Sequence, residues 1–314
     1  MARIPISLIV DDGIPVKSEY KGSPDHRFRR SVMDGLLRGF SDVCSRHGVK
    51  GKFSIIPMQT RTVRFDEGPE IFDRGRYARF LAILKKEITP RFDITPEILT
   101  HARAFDMKTG GLGAINEDAW VSQASPEDLA DYISLALKIL KNAGFPANGL
   151  TSPWYTGFDC EKKYAKAIAE AQMRVNRLAF SWYFLHICGK GEGRWPWATY
   201  MNTRTGQTVI SVPANTDDLF WDIKSGADVA GRVDALLSAD GRTGRIAELV
   251  QQNCPVTILT HWQSLDSGGR LFGLKAFDRV LRRVSGFFGD RVVWMKFSEL
   301  AKMHGRGPGP AVKK

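Results

Sequence analysis

The chain opens with an apolar run, Ile4 to Val10, that ends in the polar triplet Asp11-Asp12-Gly13. An apolar, β-branched run this short is typical of a buried strand rather than of a helix. In parallel α/β folds, sites are built at the carboxyl ends of the strands. Neighbouring residues at a strand end point in different directions, so the two aspartates could serve different chemical purposes. The alternative is a loop in which Asp11 or Asp12 caps the next turn.

Strand-like and helical patterns alternate along the rest of the chain. Apolar residues at helical spacing predict a helix from about Arg27 to His47, and Lys52 to Ile56 follows as a second strand. Ser125 before Pro126, with two acidic residues next, is typical of a helix start. Nothing resembling a linker interrupts this order, which predicts an α/β fold with a parallel, barrel-like sheet.

The chain of 314 residues has the size of one α/β barrel, and its content of 43% apolar and 25% charged residues is typical of a soluble globular protein. We expect a single domain over residues 1–304 and a mobile tail over residues 305–314. No apolar run is long enough to cross a bilayer, and the first residues lack a signal-peptide pattern. Four scattered cysteines without a Cys-x-x-Cys pair fit reduced thiols, so a cytoplasmic location is expected.

The net charge of +11 favours contact with something anionic. The basic residues are nevertheless spread along the chain, and no nucleic-acid recognition motif accompanies them. We therefore expect a generally basic surface with no specific nucleic-acid partner and no membrane partner. The sequence leaves the oligomeric state open.

Histidines follow two further apolar runs in the same way that the aspartates follow the first. Ile98-Leu99 comes shortly before His101, and Val256 to Leu259 comes shortly before His261. If the strands are parallel neighbours, these side chains converge with the aspartate pair at one rim of the sheet. A lone histidine after a strand is most often a hydrogen-bonded structural residue, but three polar strand ends in one sheet favour a functional site.

The order of these motifs resembles that of the polysaccharide deacetylase family, also called NodB-like or carbohydrate esterase family 4. Ser7 to Gly13 is similar to the family's first motif, and Glu97 to His101 is similar to the second, which supplies a metal-binding histidine. Gly149 to Tyr155 stands where the family has a loop with proline and an aromatic residue. Val256 to His261 resembles the late strand with its catalytic histidine, and Val292 to Leu300 resembles the closing strand and helix.

The resemblance implies a distorted seven-stranded (β/α) barrel and metal-dependent hydrolysis of an amide bond, in an N-acetylated sugar or a related small amide. It implies that Asp11 is the general base and His261 the general acid, and that Asp12 and His101 bind a divalent metal, with zinc expected. Such an ion polarises a carbonyl and lowers the pKa of its bound water. The carboxylate then takes the proton of the water, and the histidine protonates the leaving nitrogen.

Two positions depart from the family pattern. The family usually has a second histidine four residues after the first, and that position is Phe105 here. The adjacent Asp106 is the nearest possible substitute, so we predict it as the third metal ligand. The family's arginine is also absent, because Thr151 and Ser152 precede Pro153. By the resemblance, either some other basic group must then orient the base, or the base is tuned differently.

Aromatic residues next to the candidate site could stack on sugar rings. Trp154, Tyr155 and Trp262 are predicted to contact the substrate, although burial in the core is the usual role of such side chains. Asp217-Asp218 follows a strand and could either add a carboxylate to the rim or cap a helix.

Two other functions compete with metal-dependent deacetylation. One resembles the allantoinase-like branch of the same fold, a metal-independent cyclic amidohydrolase, and the missing second histidine favours it. The other is a catalytically inactive barrel that only binds a glycan. The joint presence of Asp11, Asp12, His101 and His261 argues against the inactive barrel.

Overall fold

The computed structural model describes residues 3–13, 33–60, 63–68 and 74–306. The start of the predicted first helix and residues 307–314 of the predicted tail lie outside these ranges. The strands are β1 Ile4–Gly13, β2 Gly51–Ile55, β3 Met58–Thr60, β4 Val63–Arg64, β5 Phe92–Pro96, β6 Arg103–Asp106, β7 Gly111–Asn116, β8 Gly149–Thr151, β9 Phe180–Phe184, β10 Trp197–Asn202, β11 Gln207–Ser211, β12 Val256–His261 and β13 Val292–Trp294. The α-helices are α1 Met33–His47, α2 Arg74–Ile83, α3 Glu117–Gln123, α4 Pro126–Asn142, α5 Glu161–Asn176, α6 Asp228–Leu236, α7 Arg245–Gln251, α8 Trp262–Asp266, α9 Phe272–Phe288 and α10 Phe297–Ala301.

The first strand lies at the centre of a parallel sheet with the order β12-β1-β2-β5, and β13 also pairs with β1. Strand β1 is buried along its whole length, which explains why its sequence is apolar without alternation. Ile6, Leu8 and Val10 belong to the larger core, which the helices cover. Ile9 packs on the opposite side in a second core with Trp182. The aspartates therefore end a strand that is enclosed on both faces.

A second sheet has the order β10-β11-β9-β8, in which only β10 is antiparallel to its neighbour. It meets the first sheet at two places. A parallel bridge joins Glu97 to Thr151, and the backbone N–H of Asn215 donates to the carbonyl of Thr257 over 3.2 Å. The predicted α/β class with a mostly parallel sheet is confirmed. The assignment of residues 1–304 to one domain stays a prediction.

The predicted helix start at Ser125 is present at the beginning of α4. The Ser125 hydroxyl accepts a hydrogen bond from the backbone N–H of Asp128 over 3.1 Å, and Pro126 occupies the first helical position. One face of α4 packs into the core. Within the described residues, no helix combines the length and the apolar character needed to cross a membrane.

Two regions near the predicted site differ from the sequence-based expectation. The strand expected to reach His101 ends at Pro96; Glu97 adds a single bridge to Thr151, and residues 98–101 have no regular secondary structure. Residues 103–116 then form a two-stranded hairpin of β6 and β7, which leads the chain away from the sheet.

Candidate metal centre and active site

Three buried side chains meet at the carboxyl ends of β1 and β5. His101 Nε2 lies 2.9 Å from Asp12 Oδ1 and 3.3 Å from Glu97 Oε1. One ligand atom from each of the three residues lies within 4.8 Å of the others. Asp12 and His101 were predicted as metal ligands, and the structure brings them together. Glu97 was not predicted.

The sequence did contain a signal for Glu97. It precedes His101 by four residues, which is the spacing between the two histidines of the family that the sequence motifs resemble. The third acidic or histidine side chain of the cluster therefore lies before His101 in the chain, whereas Asp106 was predicted after it.

Asp106 is not part of this cluster. It ends β6, and its carboxylate accepts hydrogen bonds from the backbone N–H groups of Lys108 (2.8 Å) and Thr109 (3.3 Å). These hydrogen bonds lower the pKa of Asp106. The side chain therefore fixes the turn of the β6–β7 hairpin, and Glu97 occupies the third position that had been expected for Asp106.

The backbone holds this cluster in unusual conformations. Asp12 and His101 both have a positive φ, of 59° and 53° respectively. Left-handed backbone costs about 1 to 3 kcal/mol at a residue other than glycine, and such strain is concentrated at functional sites. Gly13 is required after Asp12, because a Cβ there would lie 2.2 Å from the Phe53 ring and 2.3 Å from the carbonyl oxygen of Ser54. The Asp-Asp-Gly triplet is thus explained by the close approach of β1 and β2.

Electrostatics couple the three residues of the cluster. Burial raises the pKa of Glu97, and the charges of Asp12 and Asp11 raise it further. Burial alone would lower the pKa of His101, but the charges and hydrogen bonds of Asp12 and Glu97 outweigh it and raise this pKa well above its ordinary value. The two carboxylates thus favour the protonated form of His101. A divalent ion would relieve the same concentration of negative charge.

Asp11, the predicted base, is held by a buried lysine. Lys52 Nζ donates a hydrogen bond to Asp11 Oδ1 and another, of 2.7 Å, to Thr151 Oγ1. The side chain of Lys52 is 0% exposed. Lys52 pairs with Ile9, and Asp11 follows Ile9 by two residues in the same strand. The side chains of Lys52 and Asp11 therefore lie on the same face of the sheet. Lys52 is thus a buried basic group in direct contact with Asp11, in a chain that lacks the arginine of the family pattern.

His261, the predicted acid, lies beside Asp11, because β1 and β12 pair these two residues directly. Asp218 Oδ2 accepts hydrogen bonds from the backbone N–H of His261 (2.8 Å) and from Ser264 Oγ (2.7 Å), and it lies 2.8 Å from His261 Nδ1. Burial opposes the charged imidazole, but the hydrogen bond and charge of Asp218, with the charges of Asp12 and Asp11, raise the pKa of His261 to about 9. The side chain can therefore carry a proton at neutral pH.

The indole of Trp221 also approaches this imidazole. Trp221 Nε1 lies 2.9 Å from His261 Nδ1. An indole N–H only donates, so Nδ1 can accept from Trp221 only when it carries no proton. The protonated ring instead donates from Nδ1 to Asp218. The sequence left two roles open for Asp218, a carboxylate at the rim or a helix cap. The structure places its carboxylate at the rim, beside His261.

The predicted aromatic contacts divide into two groups. Trp154 and Tyr155 are 47% and 54% exposed, and both have left-handed backbone. The Trp154 ring stands edge-on to His101 at a centroid distance of 4.8 Å. Trp262 is fully buried and packs edge-on against Phe40 and Phe53. The prediction that Trp262 contacts the substrate is wrong, because helix α8 begins at this residue and turns its side chain into the core.

Comparisons with known proteins add information on the fold. No protein-family model matches the chain, and no curated protein sequence matches it. Solved structures do match: a predicted polysaccharide deacetylase from Mycobacterium smegmatis is 11% identical, with a TM-score of 0.57 over 96% of this chain and 90% of that one. A 4-alpha-glucanotransferase from Thermococcus litoralis is also 11% identical, with a TM-score of 0.55 over 97% of this chain and 41% of that one.

At this level of identity the similarity shows a shared fold and carries no information on activity. The chain therefore has an α/β fold similar to that of structures described as a deacetylase and a glucanotransferase. At the carboxyl ends of its parallel strands it carries a buried cluster of two carboxylates and one histidine that could bind a metal.

Proposed function

We propose that the protein is a metal-dependent hydrolase that cleaves a carbon–nitrogen amide bond, in an N-acetylated sugar or a related small amide. The observation that carries this proposal is the juxtaposition of three functional units. These are the Asp12–Glu97–His101 cluster, Asp11 held by Lys52, and His261 held by Asp218. The fold is compatible with the proposal, because a structure described as a polysaccharide deacetylase has a similar fold.

The cluster fits a divalent metal. Around a tetrahedral ion with bonds of about 2.0 to 2.2 Å, neighbouring ligand atoms lie about 3.4 Å apart. His101 Nε2 lies 3.3 Å from Glu97 Oε1, which is close to this value, and 2.9 Å from Asp12 Oδ1, a hydrogen-bond distance that would lengthen around an ion. Zinc accepts two oxygens and one nitrogen, but this donor set is harder than one with two histidines, so manganese or iron also fits.

When bound, a divalent metal would polarise the amide carbonyl and make a bound water more acidic. The residues of the chain would perform the proton transfers. Asp11, held in place by the hydrogen bond from Lys52, would take the proton of the attacking water. His261, protonated because of Asp218, would deliver a proton to the leaving nitrogen. The exposed faces of Trp154 and Tyr155 would bind the sugar ring beside the metal.

We also propose that the strands β1, β2, β5, β8, β9, β11 and β12 form a distorted seven-stranded (β/α) barrel. The two links between the sheets, Glu97 to Thr151 and Asn215 to Thr257, support this closure. Each link is short, which would explain why the barrel is distorted. The cytoplasmic location stays a prediction, and all four cysteines are free thiols.

The experiment is a metal-reconstitution assay. The purified protein is stripped with a chelator and supplied with zinc or manganese, and acetate release from an N-acetylglucosamine pentamer is measured. Asp11→Asn should lose turnover by about two to four orders of magnitude and keep its metal. Glu97→Gln should lose both, and Asp106→Asn is the matched control that should keep both. Full hydrolysis by metal-free protein, tested also on a cyclic amide such as hydantoin, would favour the metal-independent cyclic amidohydrolase instead.

A further inference from the structure

We propose that Glu117, the first residue of α3, is a positioning residue that sets the geometry of the metal centre through His101. Its carboxylate is outside the cluster of ligand atoms. It acts on the backbone that carries one of the ligands. This inference rests on the proposed metal site, and it goes beyond it by assigning the element that shapes the site.

The carboxylate of Glu117 is buried and accepts hydrogen bonds from a run of consecutive residues. Its two oxygens accept from the backbone N–H groups of Leu99 (3.1 Å), Thr100 (2.9 Å) and His101 (3.1 Å). The hydroxyls of Thr100 (3.1 Å) and Tyr132 (2.8 Å) donate to the same carboxylate. Burial raises the pKa of Glu117, and the hydrogen bonds from Thr100 and Tyr132 oppose this rise.

The backbone of Glu117 completes the contact. Its N–H donates to the carbonyl of Ala102 over 2.8 Å. Glu117 thus makes hydrogen bonds to each of residues 99–102, through its side chain to the first three and through its main chain to the last. Three successive N–H groups that converge on one anion define a specific backbone turn.

This turn matters for the metal because His101 is left-handed, with a φ of 53°. Such a conformation persists at a residue other than glycine only where the surroundings over-determine it. The direction of the Cα–Cβ bond at His101 places Nε2 between Asp12 and Glu97. If the N–H groups lost their acceptor, the turn could relax, and the imidazole would then leave the two carboxylates.

A purely structural role is the competing explanation, since any buried carboxylate with several donors contributes to stability. Two variants separate the roles. Glu117→Gln keeps the shape of the side chain but replaces one acceptor oxygen by an N–H donor that faces backbone N–H groups. Tyr132→Phe is the matched control: it removes a hydrogen bond to the same carboxylate and one from the Phe105 N–H, and it keeps the three backbone N–H groups of residues 99–101 on Glu117.

The test is calorimetric titration of the chelator-stripped protein with zinc and, separately, manganese, together with urea unfolding of the same samples. Glu117→Gln should lower metal affinity by about 10- to 100-fold, as the loss of residues that orient ligands does. Tyr132→Phe should lose stability and keep wild-type affinity. Wild-type affinity in Glu117→Gln, or an equal loss of affinity in Tyr132→Phe, would overturn the inference.

A further variant covers the case in which Glu117→Gln does not fold. Glu117→Asp keeps the negative charge but shortens the side chain by one methylene and withdraws the carboxylate from the three N–H groups, so it should lower metal affinity relative to Tyr132→Phe. Unchanged affinity there would also refute the positioning role. If the wild-type protein itself bound neither metal, the proposed metal site would fail and this inference with it. Failure in the variants alone would refute only the role of Glu117.

Discussion

Replacing Lys52 by methionine should destabilise the protein by about 3 to 5 kcal/mol, because it leaves the carboxylate of Asp11 as an unpaired buried charge. The side chain of Lys52 is 0% exposed and that of Asp11 is 7% exposed, so water can replace the lost ammonium only to a small extent. The substitution also removes the hydrogen bond to Thr151 and the contact of Nζ with the Phe184 ring, 4.8 Å from its centroid. Methionine fills a similar volume, so the cost is mainly electrostatic.

The decisive comparison is a double-mutant cycle with Asp11→Leu. Removing both members of a buried ion pair is often nearly neutral, whereas removing one leaves the other uncompensated. The double variant should therefore be more stable than either single variant, as measured by urea unfolding of chelator-stripped protein at pH 7. Lys86→Met is the control at an exposed lysine and should change the free energy of unfolding by no more than about 0.5 kcal/mol. A loss below about 1 kcal/mol in Lys52→Met, or purely additive effects in the cycle, would refute the assignment of Lys52 as the partner of the base.

Three further outcomes follow from the site and the core. The pKa of His261 is raised to about 9, so the stability it contributes, up to about 3 kcal/mol, is fully present below pH 6.5 and is lost as the pH rises through about 9. Asp218→Asn should remove most of this loss in urea unfolding followed across that interval, and an unchanged profile would exclude Asp218 as the cause. Asp106→Ala should leave zinc affinity unchanged in calorimetry while Glu97→Gln lowers it, and the opposite order would restore Asp106 as the ligand. Trp262→Ala should cost about 3 to 5 kcal/mol in the same unfolding assay, as expected for a core side chain, and a cost near zero would contradict its burial.

The parts of the site that the sequence predicted are those that depend on a single strand end. The apolar run before Asp11 fixes where β1 ends, and the run before His261 fixes where β12 ends. In a parallel sheet these two ends must lie at the same edge, and the structure pairs the two residues directly. Local patterns were sufficient here because each residue is positioned by its own strand.

The parts that the sequence did not predict depend on the path of the chain after a strand. Asp106 had a plausible spacing from His101, but the β6–β7 hairpin leads the chain away from the sheet. Trp262 follows His261 directly, but it begins a helix, and helical geometry turns it to the core. Neither the hairpin nor the helix can be located by counting residues from the histidines, because both depend on tertiary contacts.

Ionisable residues within apolar segments of the sequence indicate functional side chains that the spacing between histidines does not reveal. Lys52 and Glu97 each stand beside apolar residues in or next to buried strands, where an ionised side chain is costly unless it is compensated. Lys52 compensates one carboxylate, that of Asp11, which leaves Asp12 and Glu97 facing each other across His101. Burial and the charges of Asp12 and Asp11 raise the pKa of Glu97, and the two carboxylates raise that of His101. This buried group of two carboxylates and one imidazole, held by left-handed backbone at Asp12 and His101, is the feature of the chain on which the proposed metal site rests.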